Sequence, residues 1–193
     1  MITRPQIFAL LLIAVASIAA IRLIAGEQVS IGWFTSIGFA VTILDSLLIA
    51  AFNKYFWRWR LWQGWMVKRP YIGGDWQVKI DYQWADERGT VDATLSVRQT
   101  YTSIHARLKT DESQGDLISS QIVDEGSGRY KFTGIYRNEP RLEVRDRSQI
   151  HNGAFILDIE GDVLEPSSLR GQYWTDRDSK GEFIAQRSAR TTG

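Results

Sequence analysis

Trp76-Gln77-Val78-Lys79-Ile80-Asp81-Tyr82-Gln83-Trp84 alternates apolar and polar residues without a fault. Successive side chains of an extended chain point to opposite faces, so this run reads as a strand with one dry face and one wet face. The pattern repeats downstream. Beyond a turn at 86–89, Val91, Ala93, Leu95 and Val97 alternate with Asp92, Thr94, Ser96 and Arg98, and Ile104, Ala106 and Leu108 alternate with His105, Arg107 and Lys109. Further strands are expected at 117–123, 129–137, 153–160, 169–175 and 182–187, separated by turns rich in Asp, Glu, Gly and Ser. No helical period follows Pro70. About eight strands on short connections predict a small antiparallel up-and-down β-barrel, since eight is the number whose interior is filled by side chains or one small ligand. A two-sheet sandwich has the same period and stays open at this point.

Upstream the chain changes character. Ile7 to Ala25 is apolar apart from Ser17 and Arg22, and Ile31 to Phe52 is apolar apart from hydroxyls and Asp45. Each stretch would span about 30 Å as a helix, the thickness of a bilayer core. Gly26 to Ser30 reads as a short polar turn between them. A cleaved signal peptide, suggested by Ala14-Val15-Ala16, is disfavoured because apolar residues run on past that box. The expected organisation is therefore a transmembrane helical hairpin with an interfacial segment over 1–69, spans at about 7–25 and 31–52, and an all-β domain over 70–193.

Charge supports the division. The chain has 193 residues, 23 Lys+Arg, 22 Asp+Glu and a net charge of +1. Residues 1–69 hold seven basic residues and two acidic ones, net +5, whereas the rest carries 16 basic and 20 acidic residues, net −4. Arg4 precedes the first span and Lys54, Arg58, Arg60, Lys68 and Arg69 follow the second, while the turn has no Lys or Arg. The positive-inside rule then places both termini and the barrel in the cytoplasm, with the turn outside. Tyr55, Trp59, Trp62 and Met66 at helical spacing suggest that the second helix runs on into the headgroups. Arg22 is positioned to snorkel. Asp45 is not: a carboxylate there costs on the order of 2.5–3.5 kcal/mol on insertion scales. It is expected either to face another copy of the protein, a membrane-assembly role, or to be a protonated passenger.

The chemistry is easier to exclude. There is no cysteine, hence no disulfide frame. There is no phosphate-cradling Gly loop and no Gly-x-Ser-x-Gly elbow. The two histidines, His105 and His151, are far apart in sequence, and no cluster has metal-ligand spacing. No catalytic residue, metal or cofactor is expected, and no DNA or RNA polymer as partner. Polar residues do gather in short boxes: Gln99-Thr100-Tyr101-Thr102-Ser103, Tyr136 to Pro140, His151-Asn152-Gly153, and Gly171-Gln172-Tyr173-Trp174-Thr175-Asp176-Arg177. Each box is ordinary strand or turn material. Taken together they also offer hydroxyl, amide and cationic donors for an anion, with aromatics on which a base stacks.

In their order Gly74-Asp75-Trp76, 99–104, Ile135 to Pro140, His151 to Ala154 and Gly171 to Gly181, behind two transmembrane helices, these boxes resemble the two-helix β-barrel effectors of bacterial CBASS antiphage defence, CD-NTase-associated proteins with a cyclic-dinucleotide-receptor barrel. The resemblance covers essentially the whole chain. One departure is Gly73-Gly74-Asp75, where an aromatic-glycine turn is expected. The resemblance implies a cyclic dinucleotide, made by a CD-NTase partner, as the ligand. It also implies self-association on binding and disruption of the lipid bilayer. Thr100, Tyr101, Thr102, Ser103, Tyr136, Asn138, His151, Tyr173, Thr175 and Arg177 are then the ligand-binding candidates. Arg177 is chosen for a phosphate because its fork can hold two oxygens; the competing reading is a rim ion pair with Asp176 or Asp178. Two other functions stay open: a membrane-tethered, lipocalin-like barrel carrying a lipid or other apolar molecule, and a constitutive protein-binding scaffold.

Overall fold

A computed structural model describes residues 31–188 and, before them, Ile13, Ala16, Ser17, Ala20, Ile21 and Ile24, which are helical. The expectations for Arg4, Arg22, the turn at 26–30 and most of the first span lie outside the described residues. The described chain divides into two compact units.

The first unit contains helix α1 (Ile31–Lys54). Side chains in α1 are described at Phe39 and from Thr42 onward. Counted over described residues, no helix is long and apolar enough to cross a membrane. The helix does not run on into the aromatic segment. Single 3-10 turns follow at Phe56–Arg58 and Arg60–Trp62, with Trp59 extended between them. The Asn53 carbonyl, which a continuing helix would use for the Trp57 amide, accepts the Tyr101 amide at 2.9 Å instead. The Asn53 Oδ1 accepts both the amide and the hydroxyl of Thr102, each at 3.0 Å. Thr100–Thr102 thus belong to this unit, and Trp57, fully buried, lies 6.0 Å from the Tyr101 ring.

The second unit is the barrel. Its strands are β1 (Gly74–Trp84), β2 (Glu87–Gln99), β3 (Ile104–Lys109), β4 (Ser113–Gly126), β5 (Arg129–Pro140), β6 (His151–Gly161), β7 (Pro166–Thr175) and β8 (Lys180–Arg187). All eight expected strands are present. Each pairs antiparallel with the next, and β1 pairs with β8 from Trp76↔Arg187 to Gln83↔Lys180. That last ladder closes the barrel and decides against a sandwich, leaving no free sheet edge. The inward residues of the period-2 pattern form one core, with Trp76, Val78, Leu95, Val97, Phe132, Leu157, Leu169 and Ala185 buried.

The two ends of the barrel differ. At the end where the chain enters, Ile72 and Trp76 are wholly buried. Gln99 donates to the Pro70 carbonyl and accepts from the Ile72 amide. The Trp76 indole donates to the Ile72 carbonyl at 3.0 Å. Arg187 stacks over Trp76, 4.4 Å from the ring centre, and its guanidinium donates to the carbonyls of Pro166, Gly73 and Tyr71. That end is plugged. Asp75 lies here, its carboxylate accepting from the Ser96 hydroxyl at 2.7 Å, so the departure at Gly73-Gly74-Asp75 does not touch the other end. At the opposite end gather the β1–β2, β3–β4, β5–β6 and β7–β8 connections.

Candidate functional site: a polar-mouthed barrel cavity

A cavity of about 540 Å³ opens at the end opposite the plug. Leu95, Phe132, Leu157 and Phe183 form an apolar floor, and the mouth is lined by Tyr82, Trp84, Thr110, Ser113, Tyr136, Asn138, Arg147, Ser148, His151, Tyr173, Thr175, Arg177 and Ser179. This layering follows from the strands. Inward positions are apolar at the plugged end and turn to Tyr, Asn, His and Thr as β1, β5, β6 and β7 approach the mouth.

Cross-strand glycines set the aromatic walls. Tyr136 on β5 faces Gly153 on β6, and Phe155 on β6 faces Gly134 on β5. A Cβ on Gly153 would overlap the Tyr136 ring, and one on Gly134 would meet Phe155 at 2.8 Å. With no side chain opposite, each ring lies down across its neighbour strand. The Tyr136 and Phe155 rings are 6.4 Å apart. Burial pushes the Tyr136 phenol well above the usual tyrosine range, and that of Tyr173 is also raised by burial. Both therefore stand as protonated hydroxyls at neutral pH.

His151 is 8% exposed. Its Nδ1 lies 2.9 Å from the Gln149 carbonyl; a carbonyl only accepts, so Nδ1 carries the proton and Nε2 is the acceptor of a neutral ring. Burial lowers the His151 pKa, the Gln149 contact opposes that, and nearby Arg177 lowers it further.

Arg177 sits in the β7–β8 connection. The Thr175 hydroxyl accepts from the amides of Arg177 and Ser179 and donates to the Ser179 carbonyl, so Thr175 shapes the turn that presents the guanidinium. Nη1 of Arg177 donates to the Ser148 hydroxyl at 3.2 Å, and the guanidinium lies over Trp84, 5.6 Å from the ring centre. Its buried Nε has no hydrogen-bond partner. The rim ion pair is not formed: Asp176 accepts from the Asn152 amide and side chain instead, which lowers its pKa. A partly buried cation with an unused donor and no carboxylate partner among the described residues is a place for an anion. Arg147, by contrast, is engaged by Glu112 at 2.5 Å across the mouth.

Of the expected ligand-binding residues, Tyr136, Asn138, His151, Tyr173, Thr175 and Arg177 converge on this cavity, and Thr100, Tyr101, Thr102 and Ser103 do not line it. The latter box lies between β2 and β3, and the Asn53 side chain accepts from both the amide and the hydroxyl of Thr102. Sequence reasoning missed Tyr82 and Trp84, although their alternation with Trp76, Val78 and Ile80 already placed them on the inner face. It also missed Thr110, Ser113, Arg147, Ser148 and Ser179, which sit in or beside connections where no periodicity marks direction.

A closed eight-stranded barrel, plugged at one end and open at the other onto a cavity with a cationic, hydroxyl-rich mouth, has the form of a small-molecule receptor. The family model described as Cap15, cyclic dinucleotide receptor domain, matches residues 67–187. The match covers more than half of the sequence, and the chain belongs to that family. It is also 26% identical over 153 residues to the CD-NTase-associated protein 15 of Staphylococcus schleiferi, covering 79% of each chain.

Proposed function

We propose that the barrel is the sensor of a CBASS antiphage effector and binds a cyclic dinucleotide made by a CD-NTase. The observation that carries this reading is Arg177, a partly buried guanidinium at the cavity mouth with an unused donor and no acidic partner among the described residues. It receives a phosphate in charge-assisted bonds. Tyr136, Tyr173, Asn138 and neutral His151 supply donors and acceptors to sugar and base edges. Trp84, Tyr136 and Phe155 offer faces for stacking, worth about 1–3 kcal/mol per base. A site of this kind is a binding site rather than a reaction centre.

In this reading the segment 7–25 and α1 cross the inner membrane as a hairpin, with both termini and the barrel cytoplasmic. Supporting it, Phe39, Ile43, Leu44, Leu47 and Ile49 are exposed around α1 on more than one face, and a helix apolar all round requires an apolar medium or partner. Ligand-bound copies self-associate and the helices breach the bilayer. Asp45, whose Oδ1 is buried without a hydrogen-bond partner, is the residue that another copy satisfies.

The apolar floor favours one other reading, a tethered carrier of an apolar molecule. Isothermal titration of the full chain in detergent separates the two. Saturable binding of at least one of a panel of cyclic dinucleotides, competed by no fatty acid, is expected. Absence of binding across the panel refutes the sensor.

A further inference from the structure

The outer wall of the barrel carries a strip that the cavity does not explain. On β5, β6 and β7, Ile135, Ala154 and Trp174 form one transverse row, because Ile135 pairs with Ala154 and Ala154 with Trp174. The next outward row holds Thr133, Ile156 and Gln172. A register shift between Leu117 and Ser119 on β4 sets Ile118 beside Ile135. Ile118 is 62% exposed, Ile135 51%, Trp174 46% and Ile156 42%. Outward positions of a solvated barrel are ordinarily polar, as they are on β1 and β2. A contiguous run of exposed large apolar residues over adjacent strands marks an interaction surface.

We infer that this strip binds the same strip of a second copy of the chain. A closed barrel has no edge to extend, so it can join another only through side chains on a face. The polar positions that border the strip identify the partner. Above it lie Arg137, Asn152 and Asp176; below it lie Lys131, Asp158 and Arg170. When two copies meet face to face with strands reversed, a two-fold axis along the strip brings Asp176 of one copy opposite Arg170 of the other. Asn152 then faces Asp158, and Arg137 faces Lys131. The two like charges are already held by their own carboxylates, Arg137 by Glu139 at 3.1 Å and Lys131 by Glu125 at 2.9 Å. Arg170 has no ion pair among the described residues. The same operation sets small Ala154 against large Ile156, Ile135 against Thr133 and Trp174 against Gln172. A border carrying both signs, whose Asp176/Arg170 pair forms twice under the two-fold, fits another copy rather than an anionic membrane or a strongly charged protein.

The strip is the outer side of the cavity wall. Tyr136 and Tyr173 point inward one residue from Ile135 and Trp174, so ordering those tyrosines orders the strip behind them. Only this ligand dependence rests on the proposed cyclic-dinucleotide reading; the face itself does not.

The native chain has no cysteine, so a single introduced thiol reports one contact. Ala154→Cys and a control on the far wall, Thr94→Cys, are treated as full-length protein in detergent with a short bismaleimide, with and without cyclic dinucleotide. Roughly tenfold more covalent dimer is expected from Ala154→Cys, because a held interface has an effective concentration in the mM range. Adding Trp174→Glu to Ala154→Cys should abolish the excess, while titration shows the ligand still binding. Equal crosslinking of the two thiols in both conditions overturns the inference, as does an excess that survives Trp174→Glu. Excess crosslinking without any dinucleotide binding keeps the face and overturns the sensor instead.

Discussion

Replacing Arg177 by methionine keeps most of the stem and removes the charge, and its effects on folding and on binding should separate. In the empty barrel the guanidinium gains one neutral hydrogen bond, Nη1 to the Ser148 hydroxyl at 3.2 Å, contributing about 0.5–1.5 kcal/mol. Its position over Trp84 at 5.6 Å adds about 0.5–1 kcal/mol. Against these stands the buried Nε without a partner, which costs about 1–3 kcal/mol. The terms cancel to within about 1 kcal/mol, so Arg177→Met should melt within about 4 °C of the native protein. Binding should respond strongly. Loss of a charge-assisted contact worth about 1.5–3 kcal/mol raises Kd by roughly 10- to 150-fold. Arg177→Lys, which keeps the charge without the fork, should fall between. Thermal unfolding and calorimetric titration of the same preparations supply both numbers. An unchanged Kd in Arg177→Met refutes the phosphate role. A melting point lowered by 10 °C or more, roughly 3 kcal/mol, would make Arg177 a structural residue and refute the reasoning on its spare donor.

Three further outcomes follow from the geometry. Gly153→Ala drives a methyl into the Tyr136 ring; it should lower stability by about 1–3 kcal/mol and weaken ligand binding, and in a double-mutant cycle by thermal unfolding it should cost far less on a Tyr136→Ala background. His151 has a folded pKa held below its ordinary 6.5, so the unfolded chain takes up the proton first. Its contribution is complete above pH 6.5 and is lost as the pH falls from there towards the folded pKa; the pH slope of the melting temperature in that window should flatten in His151→Gln. Asp45→Leu should leave dinucleotide affinity unchanged while altering detergent-solubilised oligomer size or growth arrest on expression; no change in either would discard an assembly role.

Much of this protein is legible from its order of residues. Strict alternation from Trp76 to Trp84 and its seven repetitions determine the strands and their inner faces, because side-chain direction in an extended chain has a period of two. The same alternation shows Tyr136, Asn138 and Tyr173 to share a face with core residues on their strands. Closure is not local: it depends on Trp76 reaching Arg187 and Gln83 reaching Lys180, pairings about a hundred residues apart that no window of sequence contains. The box at 100–103 is not local either. Its hydroxyls and aromatic suit a ligand, and only the fold shows Asn53 taking the Thr102 donors. The aromatic segment after α1 keeps a helical period on paper, yet the Asn53 carbonyl is spent on Tyr101 and the helix stops at Lys54. Alternation thus determined strand number and inner faces, and unbroken apolar runs determined the two stretches before Pro70. The tertiary structure decided which end is open, that Arg177 rather than Arg147 is without an acidic partner among the described residues, and that Ile135, Ala154 and Trp174 lie in one row. Those facts depend on distances between residues far apart in the chain, which close packing sets and local pattern does not.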